Sequence, residues 1–190
     1  MKNVLFGETN MEDAPFFKAL FNSTKFAWLW LIVRVYVGYQ WISASLHKLS
    51  APEWMQTGDA LKGYWMHAVS IPDAPAKPPI NYDWYRAFIQ SMIDHQSYVW
   101  FAKLVAVGEF LVGLALILGI FVGVAAFFGG LLNFNFLLAG SLSSGPVLLV
   151  LEMLLIIAWK IAGYYGLDRF FFKYVGAPWK PGLWFQKKKA

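Results

Sequence analysis

The chain has 190 residues, of which 58% are hydrophobic and only 14% charged, with a mean hydropathy of +0.48. Soluble domains average about 45–50% apolar and about 25% charged residues, so this balance points to an integral membrane protein. Cysteine is absent, which excludes disulfides, thiol redox chemistry and cysteine-ligated clusters within the chain. The net charge of +5 reads as a topology signal rather than a nucleic-acid footprint, because six of the sixteen Lys and Arg residues follow the last apolar run.

Residues 1–25 form an amphipathic lead-in with Phe16, Phe17, Leu20 and Phe21 on one side. Glu8, Glu12 and Asp13 interrupt it, so it is not a secretory signal. Residues 26–170 carry four predicted membrane spans: Phe26 to Leu49, Tyr98 to Leu118, Ile120 to Leu142 and Pro146 to Gly166. The fold class is therefore an all-α, four-helix up-down bundle. Gly119 and the SLSSGP stretch give tight turns between the later spans, and Gly108, Gly113, Gly129, Gly130 and Gly140 let helices approach closely.

The first span sets Arg34, Val37, Gly38, Trp41, Ser45 and Lys48 on one stripe at helical spacing, with Tyr36, Gln40, Ser43 and His47 beside it. A charge such as Arg34 inside a span costs about 2.5–3.5 kcal/mol and needs a partner. The loop at residues 50–97 is too long to be mere connection. It contains a predicted helix over Ala60 to Ala68, a Pro-rich middle, and a second predicted helix over Asp83 to Met92 with Asp83 as its N-cap. It reads as a lid over the outer mouth of the bundle, with Trp65, Trp84, Tyr85 and Phe88 at headgroup level. Residues 171–190 form a basic tail ending in Lys187 to Lys189, so the positive-inside rule places both termini in the cytoplasm.

Converting position into depth at about 1.5 Å per residue pairs the buried charges by height. Arg34, roughly 12 Å from the inner end, matches Glu109 at roughly 15 Å. Lys103, roughly 8 Å from the outer end, matches Glu152 at roughly 9 Å. Asn133 and Asn135 lie near the outer end of span three but two residues apart, on opposite faces. Lys160 snorkels near the inner end of span four. His47, His67 and His95 are too scattered for a metal site, and none is expected.

Five segments together resemble the DoxX/DoxD family of membrane proteins, which includes the DoxD-like subunit of thiosulfate:quinone oxidoreductase. They are VRVYVGYQWISASLHKL, DWYRAFI, WFAKLVAVGEFLVGLALILG, FGGLLNFNFLLAGS and AWKIAGYYGLDRF, and they cover about Trp30 to Phe171. The resemblance implies a prokaryotic cytoplasmic-membrane protein of four helices, linked in some members to oxidation of reduced sulfur compounds with quinone as electron acceptor. It also implies a second subunit.

On that reading the chain is a quinone-linked oxidoreductase or its quinone-binding subunit, with ubiquinone or menaquinone as acceptor and thiosulfate or another small sulfur compound as donor on the outer side. Lys103, Glu109 and Glu152 are the catalytic candidates, as hydrogen-bond donor and proton carriers. Arg34, Trp41, Lys48, Trp84, Asn133, Asn135 and Trp159 are the substrate- and quinone-binding candidates. The bilayer, quinone, a second redox subunit and a further copy of the chain are the expected partners, and nucleic acid is not. The alternative is a non-catalytic anchoring or assembly subunit of a redox or stress-response complex, in which the charges only hold the helices in register. A small transporter ranks last, because no inverted repeat of broken helices is evident.

Overall fold

The computed structural model describes residues 13–177 and 180–185. The first twelve residues of the lead-in and the terminal lysines 187–189 lie outside these. The described chain is helical, apart from a two-residue antiparallel pairing of Gly176–Ala177 with Lys180–Pro181. In order, the helices are α1 (Pro15–Asn22), α2 (Ala27–Ser50), α3 (Pro52–Met55), α4 (Asp59–Val69), α5 (Asp83–Asp94), α6 (Tyr98–Leu118), α7 (Val122–Leu138), α8 (Gly145–Ile157), α9 (Trp159–Ala162) and α10 (Asp168–Tyr174).

Helices α2, α6, α7 and α8 pack in a ring, α2 touching α6 and α8, and α7 touching α6 and α8. The core between them holds Trp30, Val37, Trp41, Leu116, Val122 and Leu155. The predicted stripe on α2 is the buried one: Arg34, Val37, Gly38, Trp41 and Ser45 are buried and Lys48 half-buried, while Tyr36, Ser43 and His47 beside it are exposed.

The four expected spans do not score alike. Among the described residues only α6, of 21 residues, is both long and apolar enough to cross a membrane on those two criteria. α7 and α8 are as apolar but have 17 and 13 residues. The apolar run of the fourth is divided at Ala158, where ψ opens to 7° and a short helix, α9, resumes. α2 is long enough, but Arg34, Gln40, His47 and Lys48 dilute it.

The pairing of α2 with α6 is a backbone-to-backbone contact. A Cβ on Gly38 would stand 2.9 Å from the Gly113 carbonyl oxygen, and one on Gly113 would stand 2.8 Å from that of Gly38. Two glycines at the crossing let the axes close to a distance that no side chain permits, and they also fix the register of the pair.

The end of the ring that carries the turn between α6 and α7 is stitched by two buried charges. Arg34 Nη1 donates to the carbonyls of Leu116 at 2.7 Å and Ile117 at 3.0 Å, and Nη2 donates to Tyr165 at 2.8 Å. The first two are carbonyls that the last turn of α6 leaves without intrahelical partners, and the third lies in the turn after α9. Asp168 accepts from the Phe121 N–H at 2.6 Å and the Val122 N–H at 3.0 Å, which caps the start of α7 from a distant segment. Gly119 sits between, at φ 67°, and its Cα faces the Arg34 guanidinium closely enough that any Cβ would collide with it. Burial holds the Asp168 carboxyl above its usual range, while those two N–H groups and Arg34 pull it back.

At the opposite end, which we call the lid end, α4 and α5 fold over α6. Leu61, Trp65, Ile80, Tyr85, Ile89 and Tyr98 form a second apolar core. Of the aromatics expected at headgroup level, Trp65 and Tyr85 are therefore buried, and Trp84 is 66% exposed. Asp83 does not cap α5. It is the first helical residue, and its carboxylate takes Arg86 at 2.7 Å instead. Arg86 also donates to the Ile80 carbonyl, which ties the Pro-rich linker to the helix.

The glycine crossing gives a test. Gly113→Val must push backbone against backbone, and overpacking of this kind costs about 1–3 kcal/mol. Gly63, on α4, has no atom within 4 Å of an added Cβ. Thermal unfolding in detergent should show a clearly lowered midpoint for Gly113→Val, and an unchanged or slightly raised one for Gly63→Ala.

Candidate functional site

The structure pairs the buried charges differently from depth matching. Arg34 does not meet Glu109. The glycine crossing sets Gly38 against Gly113 and Ile117, so Arg34, one turn away on α2, reaches the end of α6. Glu109, one turn beyond Gly113 in the other direction, meets Lys48, whose Nζ stands 2.5 Å from Oε1. Lys103 and Glu152 do not pair either. Lys103 is exposed on the outward face of α6, whereas Glu152 is completely buried on the inward face of α8. Glu152 accepts instead from Trp41 Nε1 at 2.7 Å and from Asn133 Nδ2 at 3.3 Å. Gly129 makes room for this contact, since a Cβ there would stand 2.8 Å from Glu152 Oε1.

Five of the expected residues thus converge: Trp41, Lys48, Glu109, Asn133 and Glu152. Four of them line a cavity of about 420 Å³ between α2, α6, α7 and α8, and Glu152 lies behind it, held by Trp41 and Asn133. Gln40, Ser43, Ser141, Ser143 and Ser144 complete its polar wall. Lys48 reaches it from the last turn of α2, with its ammonium also over the rings of Trp54 at 4.8 Å and Phe136 at 5.2 Å. Glu109 is 1% exposed, and its second oxygen, Oε2, has no hydrogen-bond partner among the described residues. A buried carboxylate oxygen left open in a polar cavity awaits a donor, whether water or ligand.

A second cavity, of about 580 Å³, runs as a groove between α6 and α7, from the lid helices to Phe121 at the far end. Its walls are aliphatic and aromatic along the whole length, with Leu104, Gly108, Leu111, Phe128 and Leu132 among them. Polar atoms gather only at the lid end, from Tyr64, Tyr85 and Asn135. The Tyr85 hydroxyl bonds the Asn135 backbone carbonyl at 3.1 Å and its Oδ1 at 3.2 Å. Asn135 Nδ2 donates one hydrogen to Leu131 at 2.7 Å, which leaves its second amide hydrogen for a ligand. Burial pushes the Tyr85 phenol up to about 12 and raises Tyr64 as well, so both stay protonated donors at neutral pH. Asn133 and Asn135 do point to opposite faces of α7, one to each cavity, and the Phe136 ring forms part of both walls.

The remaining expected residues lie apart. Arg34 is taken up at the far end of the bundle, and Trp84 stands on the surface of the lid. Trp159 is half-buried against Phe172, with ring centroids 6.0 Å apart, and its Cβ packs against Gly123 of α7; it lines neither cavity. Lys160 is exposed, with Asn22 Oδ1 at 3.4 Å. Sequence reasoning missed Tyr64, Ser141 and Asp168. Tyr64 lay inside a loop helix read only for its amphipathicity, and Ser141 inside a stretch read only as a turn. Asp168, directly after the last apolar run, carried a signal: an acid beside a helix end that needs a cap.

No family model, no curated protein and no solved structure matches this chain.

The Lys48–Glu109 pair gives a test of its own. Removing one partner of a buried pair leaves a charge without compensation, which costs about 3–5 kcal/mol. Lys48→Met should therefore lower the unfolding midpoint sharply, and the double variant Lys48→Met/Glu109→Leu should recover most of the loss. A double variant as unstable as the sum of the two single ones would mean that the two groups act independently.

Proposed function

We propose that this chain is a membrane-embedded quinone-binding protein, either a quinone-linked oxidoreductase or the quinone-binding subunit of one, in line with the DoxX/DoxD resemblance. The observation that carries this reading is the groove: long, apolar along its length, and polar only at its lid end. A quinone has the same division, with a hydrogen-bonding ring at one end and an apolar isoprenoid tail. Asn135 has an amide hydrogen for a ring carbonyl, and the protonated phenols of Tyr64 and Tyr85 supply further polar contacts. The wall residues Leu104, Leu111, Val124, Phe128 and Leu131 would flank the tail.

A bilayer setting has independent physical support. Apart from Lys103 in the second turn of α6, the outward faces of the ring helices are largely apolar: Ile32, Leu104, Leu111, Phe127, Val150 and Met153 are each more than half exposed. A helix apolar on all sides is buried or lies in lipid. Four helices then cross the membrane together, α2 bringing its charges only to the interior. By the positive-inside rule, the Lys and Arg residues of the tail support a cytoplasmic side for both termini and an outer side for the lid.

The polar cavity bears on the electron donor. Its one ammonium, Lys48, is already paired with Glu109, and a second carboxyl group, Glu152, lies behind Trp41 and Asn133, so it does not suit a dianion such as thiosulfate. This favours the quinone-binding-subunit form, with the sulfur compound oxidised by a partner chain. The anchoring reading fits Arg34 and Asp168, whose charges only join helix ends, but leaves the groove and the open Glu109 oxygen without a role.

The test starts from protein purified in nanodiscs and extracted for bound quinone. Wild type should retain ubiquinone or menaquinone. Gly108→Phe should lose it, because Gly108 lines the groove and its nearest neighbour to an added Cβ, a Leu132 methyl, stands 3.9 Å away. Asn135→Leu should weaken binding about tenfold, as for loss of one hydrogen bond. Phospholipid in the extract with no quinone, from wild type and Asn135→Leu alike, would reject the reading. Reduction of quinone analogues by thiosulfate with the purified chain alone would show instead that no partner is needed.

A further inference from the structure

We propose that the polar cavity holding Lys48 and Glu109 is a binding site for a small organic cation that carries a primary ammonium group. The proposal stands on that cavity alone and does not depend on what fills the apolar groove.

Charge is the first argument. One cation, Lys48, belongs to the cavity, and it is paired with Glu109 at 2.5 Å. Glu152 adds a second carboxylate behind the wall. Its two oxygens accept from neutral donors, Trp41 and Asn133, and it makes no ion pair among the described residues. The formal sum is one positive charge against two negative ones. A buried carboxylate without a cation is costly, and a cation held in the adjoining cavity lowers that cost.

The hydrogen-bond inventory is the second. Asn133 spends both amide hydrogens, on the Gly145 carbonyl at 2.9 Å and on Glu152 at 3.3 Å. The Lys48 ammonium is held by Glu109 and by the rings of Trp54 and Phe136. Gln40 donates to the Tyr36 hydroxyl at 3.0 Å and keeps its amide oxygen. The donors of the wall are thus largely committed, while acceptors remain. Foremost among these is Glu109 Oε2, buried and without a partner among the described residues. A primary ammonium brings three N–H donors and no acceptor, which complements such a wall.

Shape is the third. Glu109, Asn133 and Leu148 are buried at the floor of the cavity, while Ser43, Ser143 and Ser144 at its rim are exposed. The mouth therefore opens at the lid end between hydroxyls. The volume of about 420 Å³ falls in the range of small-molecule pockets, roughly 300–1,000 Å³, and exceeds what a bare metal ion fills. No group of three or more His, Cys, Asp or Glu side chains stands together for a metal among the described residues. A primary ammonium has two sources here, a free amine in solution or the headgroup of phosphatidylethanolamine, and the test separates them.

The test uses equilibrium dialysis of the full chain in nanodiscs at neutral pH. The probes are 2-(2-aminoethoxy)ethanol, protonated there, and diethylene glycol, which has nearly the same shape with a hydroxyl in place of the ammonium. In discs of phosphatidylcholine alone, the wild type should bind the amine at least about tenfold more tightly than the glycol, as for one charge-assisted hydrogen bond. Glu109→Gln should bring the two probes level. Ser144→Trp fills the mouth from an exposed position whose hydroxyl caps no helix, and should bind neither probe. Amine binding lost in discs that are half phosphatidylethanolamine would support the site with the lipid headgroup as its source. Amine binding unchanged there would support it with the free amine. Equal wild-type affinity for the two probes would overturn the proposal, as would no amine binding in phosphatidylcholine discs. Amine preference kept in both variants would overturn it too, because the amine would then sit elsewhere. Quinone extracted from the same discs reports on the groove separately, so either reading can fail without the other.

Discussion

The fold depends on the backbone contact between Gly38 and Gly113. That contact decides how far α2 slides along α6, and every buried charge on the pair takes its partner from that choice. One turn to one side, Arg34 finds the carbonyls that end α6. One turn to the other, Glu109 finds Lys48. An isolated charge could not stay in this interior, where water is excluded and unpaired charge is costly. The glycines therefore set more than a distance. They assign an arginine to one end of the bundle and an acid–base pair to the other.

The two ends differ in kind as a result. At the Arg34 end all but one of the side-chain polar atoms of Arg34 and Asp168 are consumed by the backbone, guanidinium against carbonyls and the Asp168 carboxylate against helix-starting N–H groups, and Arg34 Nε alone of these is buried without a partner among the described residues. Little there is left for a ligand. At the lid end the polar groups are paired to one another with capacity to spare. Glu109 keeps an open oxygen, Asn135 keeps an amide hydrogen, and hydroxyls line the wall. An asymmetric distribution of this sort is what a bundle needs if one end is to hold shape and the other is to bind.

Much of this was legible in the sequence where periodicity governs. The buried stripe of α2, the extent of α6 and the opposed faces of Asn133 and Asn135 follow from 3.6 residues per turn. So does the presence of two helices in the lid, whose ends fall within two residues of those expected. What depth could not supply was azimuth and slide. Lys103 has the right height for Glu152 but points outward, and Arg34 has nearly the right height for Glu109 but belongs to another turn. Both errors have one origin, since height was counted from span ends while the helices are registered at their glycines. Gly38 and Gly113 were visible as small residues, but nothing in one sequence says that these two meet. The groove was illegible for a related reason, since it exists only where α6 and α7 diverge beneath the lid.

Phe136 is where the two halves of the lid end touch. Its ring closes the groove on one side and lies under the Lys48 ammonium on the other, so the cation is held by a carboxylate and two aromatic faces at once. An ammonium so placed resists leaving its site, which holds the Glu109 carboxylate in the wall of the polar cavity. The Phe136 ring thus forms part of the boundary between an apolar groove and a polar cavity. On the proposed quinone reading, the ring of the ligand would sit where these two environments adjoin, beside the neighbouring α7 residues Asn135 and Phe136.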